Sequence, residues 1–228
     1  KLINILGADH TGYIKRIKSE VSALSDNKSL LDCKVCQLVK LYKNGQPFKM
    51  SKRAGEFISA QDLLDEVEKD PIRFMMLNRS NDVELDFDFD KVKEKNKDNP
   101  VFYVQYAYAR INSILRSLKI KFTNKVELND KDFQLNEIEQ KILRKVFEWP
   151  KIIESACNKF DLHKIPVYLY DLATLFHSYW SKGNEDEKYK FIRDEKIKRN
   201  EIFAIMNLTA IVLQNGMGIL GVSLPDKM

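Results

Sequence analysis

The stretch GQPFKMSKRAGEF, residues 45 to 57, sets Lys49, Lys52 and Arg53 within five residues, beside Met50 and Ser51, with glycines at 45 and 55. Two ammonium groups three residues apart on a loop can be aimed at one polyphosphate. There they act as point charges that neutralise phosphate oxygens while charge moves to a leaving group. Met50 can fill an apolar slot as such a loop closes over a ligand, Ser51 can donate a hydrogen bond, and the glycines can serve as hinges. A basic pentad also occurs as a plain solvated loop, so the remaining residues must decide between the two.

Three other groupings invite chemistry. Cys33 and Cys36 have the spacing of half a zinc site or of a redox pair. No second pair exists, and the three histidines are scattered at positions 10, 163 and 177. A strand also sends residues three apart to opposite faces, so structural cysteines are the better reading. VELDFDFD, residues 83 to 90, places Asp86, Asp88 and Asp90 at alternate positions, but Lys91 stands where a calcium loop needs glycine. Its alternating Val83, Leu85, Phe87 and Phe89 read as an extended segment with one buried face, with Asp90 placed to cap the next helix. In the C-terminal half, Tyr103, Tyr106 and Tyr168 sit at helical spacings, near Arg110 and Tyr170. Such aromatics are either core or flat platforms for stacking.

These groups need elements to hold them. LINIL, residues 2 to 6, is a strand ending in glycine, and Ile14, Ile17, Val21 and Leu24 follow with a helical period. CQLVKLY, residues 36 to 42, reads as a second strand, followed by the Asn44-Gly45 turn. Ser59 with Asp62 three residues on marks a helix start. From about residue 100 the pattern is helical throughout, in four apolar stripes: 104–118, 138–153, 165–179 and 202–213. The polar stretch 119–136 reads as a linker. The expected fold class is therefore α/β followed by all-α.

Composition narrows the partners. The chain has 228 residues, 44% hydrophobic and 31% charged, with a formal net charge of +5, which permits an anionic partner without requiring one. No uninterrupted apolar run approaches the roughly 18 residues that span a bilayer, so no membrane is expected. Three cysteines argue for a reducing cytoplasm rather than a disulfide framework. KLINILGADH opens directly on a strand and is not a signal peptide, which suggests sequence upstream.

KMSKR resembles the KMSKS signature of class I aminoacyl-tRNA synthetases. GADHTGY, residues 7 to 13, is similar to the arginyl-tRNA synthetase form of a class I glycine-x-aspartate motif. NPVFYVQYAYARINSIL (99–115), YLYDLATLF (168–176) and the ending GILGVSLPDKM resemble that family's helical anticodon-binding domain. The resemblance covers the whole chain. It implies that residues 1–98 are the second half of a Rossmann-like catalytic domain and that 99–228 form the anticodon-binding domain. It also implies ATP-dependent attachment of L-arginine to its tRNA through an adenylate, with magnesium as companion. Lys49 and Lys52 would be catalytic; Gly7, Asp9, His10, Met50, Ser51 and Arg53 would bind ATP. Tyr103, Tyr106, Tyr168 and Met228 would contact the anticodon, and the protein would act as a cytoplasmic monomer.

One departure matters. His10-Thr11-Gly12-Tyr13 is a near miss to the His-x-Gly-His signature such enzymes need, but too few residues separate it from Lys49. The true signature is expected upstream of Lys1, so the 228-residue chain alone is expected to be inactive. The alternatives are a stand-alone tRNA-binding module and a cysteinyl-type synthetase, for which no zinc ligand set is seen.

Overall fold

The computed structural model describes residues 2–48, 58–123 and 134–228. Two compact units emerge, one spanning Lys1–Glu66 and Arg79–Val92, the other Val67–Asn78 and Lys93–Met228.

In the first unit, β1 (Leu2–Gly7) runs parallel to β2 (Leu31–Cys36), from Leu2 opposite Leu31 to Gly7 opposite Cys36. Parallel neighbours need a crossover, and α1 (Ile14–Leu24) supplies it after a 3-10 turn, Ala8–Tyr13. A second sheet centres on β3 (Val39–Lys43), which is antiparallel to β4 (Gln46–Pro47) and parallel to β5 (Leu85–Asp88). Asn44 and Gly45 make the β3–β4 turn with φ of 53° and 69°, the left-handed pair that a tight hairpin requires.

The single strand expected at 36–42 is in fact two. β2 ends at Cys36, and the chain turns where the Gln37 N–H donates to the Asn81 carbonyl at 2.9 Å, before β3 resumes at Val39. The alternation LDCKVC was the missed signal, because a short strand with polar residues at every second position stands out less than an apolar run. Cys33 is half-buried and Cys36 exposed.

Ser59 and Asp62 form the expected reciprocal cap of α2 (Ala60–Val67): the Asp62 carboxylate accepts from the Ser59 N–H at 2.8 Å, and the Ser59 hydroxyl from the Asp62 N–H at 3.1 Å. Along 83–90, Phe87 and Phe89 are fully buried and meet edge to face with centroids 5.7 Å apart. Asp88, not Asp90, receives the N–H groups of the following turn, while Asp90 accepts from the Asn44 N–H at 2.6 Å and braces the hairpin.

The second unit is helical: α3 (Lys69–Leu77), α4 (Pro100–Ser117), α5 (Glu137–Lys159), α6 (Lys164–Glu185) and α7 (Asn200–Leu220), with a small β6–β7 hairpin (Ile192–Arg193, Lys196–Ile197) before α7. Pro100 starts α4, where its missing N–H costs nothing. Asn136 and Glu139 cap α5 reciprocally. α6 packs against α4, α5 and α7, and Ile111, Leu169, Leu172, Phe176, Ile202, Ile205 and Met206 are fully buried among them. Each such side chain contributes roughly 1.5–3 kcal/mol by leaving water.

α7 is long and apolar enough to cross a membrane by length and composition, although no uninterrupted apolar run marks it in the sequence. Two of its polar side chains are nonetheless bonded inside the helical unit, while the Thr209 hydroxyl is buried without a hydrogen-bond partner among the described residues. Asn207 accepts from the Thr123 N–H at 3.1 Å, and Glu201 from the Gln134 N–H at 3.3 Å.

Candidate functional site

Along α4, Tyr106, Arg110, Ser113 and Ser117 recur at three- and four-residue steps and so share one stripe. Ala109 and Ser113 are short, which leaves a hollow between the stripe and α6. The resulting cavity, of about 750 Å³, is lined by Tyr106, Arg110, Arg116, Trp180, Lys227 and Met228, together with the smaller residues of α4. Arg110, Arg116 and Lys227 bring positive charge, and the lining contains no carboxylate side chain.

Met228 and Lys227 reach this cavity because the tail is tied down. Gly221, with φ of 67°, ends α7 in the left-handed conformation, and the Val222 N–H closes back on the Met217 carbonyl at 2.9 Å. Arg73 of α3 donates to the Leu220 carbonyl at 2.7 Å, and the Ser223 hydroxyl donates to the Asp70 carboxylate. Gln105 then donates to the Ser223 carbonyl at 3.0 Å and Arg116 to that of Asp226 at 2.7 Å.

Inside the cavity the Arg110 guanidinium lies 4.4 Å from the Tyr106 ring centroid and 5.3 Å from that of Trp180. Both are within range of cation–π attraction. Behind it, buried His177 of α6 lies 3.0 Å from Arg110 Nη1 through Nδ1 and 3.1 Å from the Tyr103 carbonyl through Nε2. Burial above all, with the neighbouring Arg110 charge, lowers the His177 pKa to about 4, against an opposing pull from its bond to the Tyr103 carbonyl. A charged guanidinium stacked on aromatic faces, in a hollow with further cations, can hold a flat base and its phosphates.

The expected anticodon residues separate. Tyr106 and Met228 are brought together in the cavity, and Met228 is 51% exposed. Tyr103 is half-buried behind them, with its ring 4.3 Å from His177 and 5.3 Å from Tyr170. Tyr168 is a correction. It is 2% exposed, stacked on Trp149 with centroids 5.3 Å apart, and its hydroxyl donates to the Lys145 carbonyl. It belongs to the core, because α5 covers the side of α6 from which it projects. Trp180, Arg116 and Lys227 were missed. One of only two tryptophans in the chain, at the polar end of an apolar helix, was the available signal for Trp180.

In the first unit, Gly7, Asp9 and His10 lie together where β1 meets its 3-10 turn. Asp9 Oδ1 is 2.9 Å from His10 Nδ1, and both side chains are exposed. A Cβ at Gly7 would stand 2.7 Å from that same carboxylate oxygen, so the residue leaves the space Asp9 occupies. Lys49, Met50, Ser51, Lys52 and Arg53 fall outside the described residues. Among the described residues no cluster of three or more His, Cys, Asp or Glu could hold a metal ion.

The chain is similar to known proteins over its whole length. Over its full length the chain is 55% identical to the arginine–tRNA ligase of Pelagibacter ubique, of which it covers 39%. A solved arginyl-tRNA synthetase candidate from Campylobacter jejuni is 31% identical with a TM-score of 0.86, covering all of this chain and 48% of that one. Thermus thermophilus arginyl-tRNA synthetase shares the fold, with a TM-score of 0.71 at 18% identity, over 99% of this chain and 41% of its own. The chain thus spans about two fifths of the length of the curated relatives it matches. Residues 104–228, which hold the whole cavity, match the DALR anticodon-binding domain, and by that match over more than half its length the chain belongs to the DALR anticodon-binding domain family.

Proposed function

We propose that this chain is the part of an arginine–tRNA ligase that closes on the ATP phosphates and reads the tRNA anticodon. The observation that carries the reading is the cavity, where Tyr106, Arg110, Trp180 and Met228 meet beside Arg116 and Lys227 in the segment matching the DALR domain. In this reading a splayed anticodon base enters against Tyr106 and Trp180, while the cations meet the adjoining phosphates. Tyr103 supports the platform from behind.

Residues 1–98 are read as the second half of a Rossmann-like catalytic domain, and 99–228 as the anticodon-binding domain. The parallel β1–β2 pair supports this: Leu2, Ile3 and Ile5 are 52%, 46% and 70% exposed, whereas parallel strands are ordinarily covered on both faces. Such a pair fits a sheet that further elements complete. Gly7, Asp9 and His10 would seat the adenosine, with Met50, Ser51 and Arg53 closing over it. Lys49 and Lys52 would neutralise the phosphates as L-arginine displaces pyrophosphate. Magnesium enters only as the companion of the nucleotide, carried by its phosphates. The protein is read as a cytoplasmic monomer with no membrane partner.

The test is affinity for an arginine tRNA at two salt concentrations, beside a melting curve. Tyr106→Ala and Trp180→Ala should each cost about 1–3 kcal/mol of binding, a loss that survives raised salt because stacking is not screened. Arg116→Ala should act chiefly by flattening the salt dependence. Unchanged tRNA affinity in both aromatic variants would sink the reading.

A further inference from the structure

We propose that His177 is the positioning residue of the tRNA cavity, a neutral imidazole that fixes where the Arg110 guanidinium lies across Tyr106 and Trp180. This inference rests on the reading of the cavity as a tRNA contact. Its chemistry comes from the two partners of the ring. The Tyr103 carbonyl can only accept, so Nε2, at 3.1 Å, must carry the proton. Arg110 can only donate, so Nδ1, at 3.0 Å, must offer its lone pair. Both partners select the same tautomer, and neither tolerates its alternative.

The ring is also clamped sterically. Tyr103 lies 4.3 Å from it and Tyr106 5.6 Å, the latter nearly parallel at 25°. His177 is 5% exposed and does not line the cavity, so it acts through Arg110 rather than on a ligand. The spacing on both helices makes this possible. Tyr103, Tyr106 and Arg110 fall on one face of α4, and His177 and Trp180, three residues apart, fall on one face of α6. One N–H of Arg110 is used on the histidine. The guanidinium has five such donors in a rigid fork, so fixing one fixes the directions of the rest toward a phosphate or the acceptor edge of a base. The groups facing the imidazole are the Arg110 cation and the Tyr103 and Tyr106 rings from α4, with Phe176 beside it on α6.

The experiment measures affinity of the whole 228-residue chain for a transcribed arginine tRNA. The proteins are the wild type, His177→Phe, His177→Asn, Arg110→Ala and the His177→Phe/Arg110→Ala double variant. Phenylalanine keeps the ring packing and removes the acceptor; asparagine puts a carbonyl oxygen near the Nδ1 position. His177→Phe should weaken binding about tenfold, the scale of one hydrogen bond to a charged group. Arg110→Ala should lose at least as much, the double variant no more than Arg110→Ala alone, and His177→Asn should recover most of the affinity.

Losses that multiply in the double variant, or a His177→Phe that binds like wild type while Arg110→Ala does not, would overturn the role of His177 alone. An Arg110→Ala that binds like wild type would overturn the reading of the cavity itself. A second arm needs no RNA: proton–nitrogen correlation NMR of the imidazole at neutral pH should find Nε2 protonated and Nδ1 bare. A proton on Nδ1 overturns the proposal.

Discussion

Acidification should unfold the helical unit partly through one residue. The folded His177 has a pKa of about 4, against an ordinary value of 6.5, because burial and then the Arg110 charge disfavour its imidazolium form. Between these two pH values the unfolded chain binds a proton that the folded chain refuses. Stability therefore rises with pH across the window, is complete above about 6.5, and is lost as pH falls toward 4. Each pH unit costs about 1.4 kcal/mol, so the whole window withdraws about 3 kcal/mol.

Both tryptophans, Trp149 and Trp180, belong to the helical unit, so their fluorescence follows its urea unfolding selectively. The comparison is wild type against His177→Asn, in which the carboxylates titrate alike and cancel. The wild type should lose stability relative to the variant as pH drops, by most of that amount at about pH 4. Parallel curves, or a wild type that gains on the variant in acid, would refute the neutral buried imidazole.

Two further predictions concern packing. A Cβ on Gly183 would come within 2.8 Å of the Tyr189 carbonyl oxygen, which is backbone and cannot swing aside. Gly183→Ala should cost about 1–3 kcal/mol in denaturant unfolding, and a neutral result would mean that the 3-10 turn at Glu187–Tyr189 shifts freely. Glu139 is fully buried, its carboxylate held by Arg199, the Tyr179 hydroxyl and the Asn136 N–H. Arg199→Met should therefore cost about 3 kcal/mol near neutral pH by stranding that charge, with part of the loss recovered on adding Glu139→Gln. Full stability in the single variant would show the ion pair to be dispensable.

Much of the architecture was legible because it is local. The periods of 3.6 and 2, the Asn44-Gly45 turn and the Ser59–Asp62 cap depend only on residues near one another in the chain, and α1, β1, the hairpin and the four long helices follow from them. The Lys49–Arg53 group is known only through its sequence. Tertiary structure alone distinguished Tyr106 from Tyr168. Both are aromatic residues on apolar helices, and nothing in their neighbours along the chain says that α5 covers one while small residues on α4 leave a hollow beside the other. Trp180, Arg116 and Lys227 joined that hollow for the same reason. A helix's period tells which face is apolar, but which part of that face stays open depends on where other helices, and a strapped tail, come to rest.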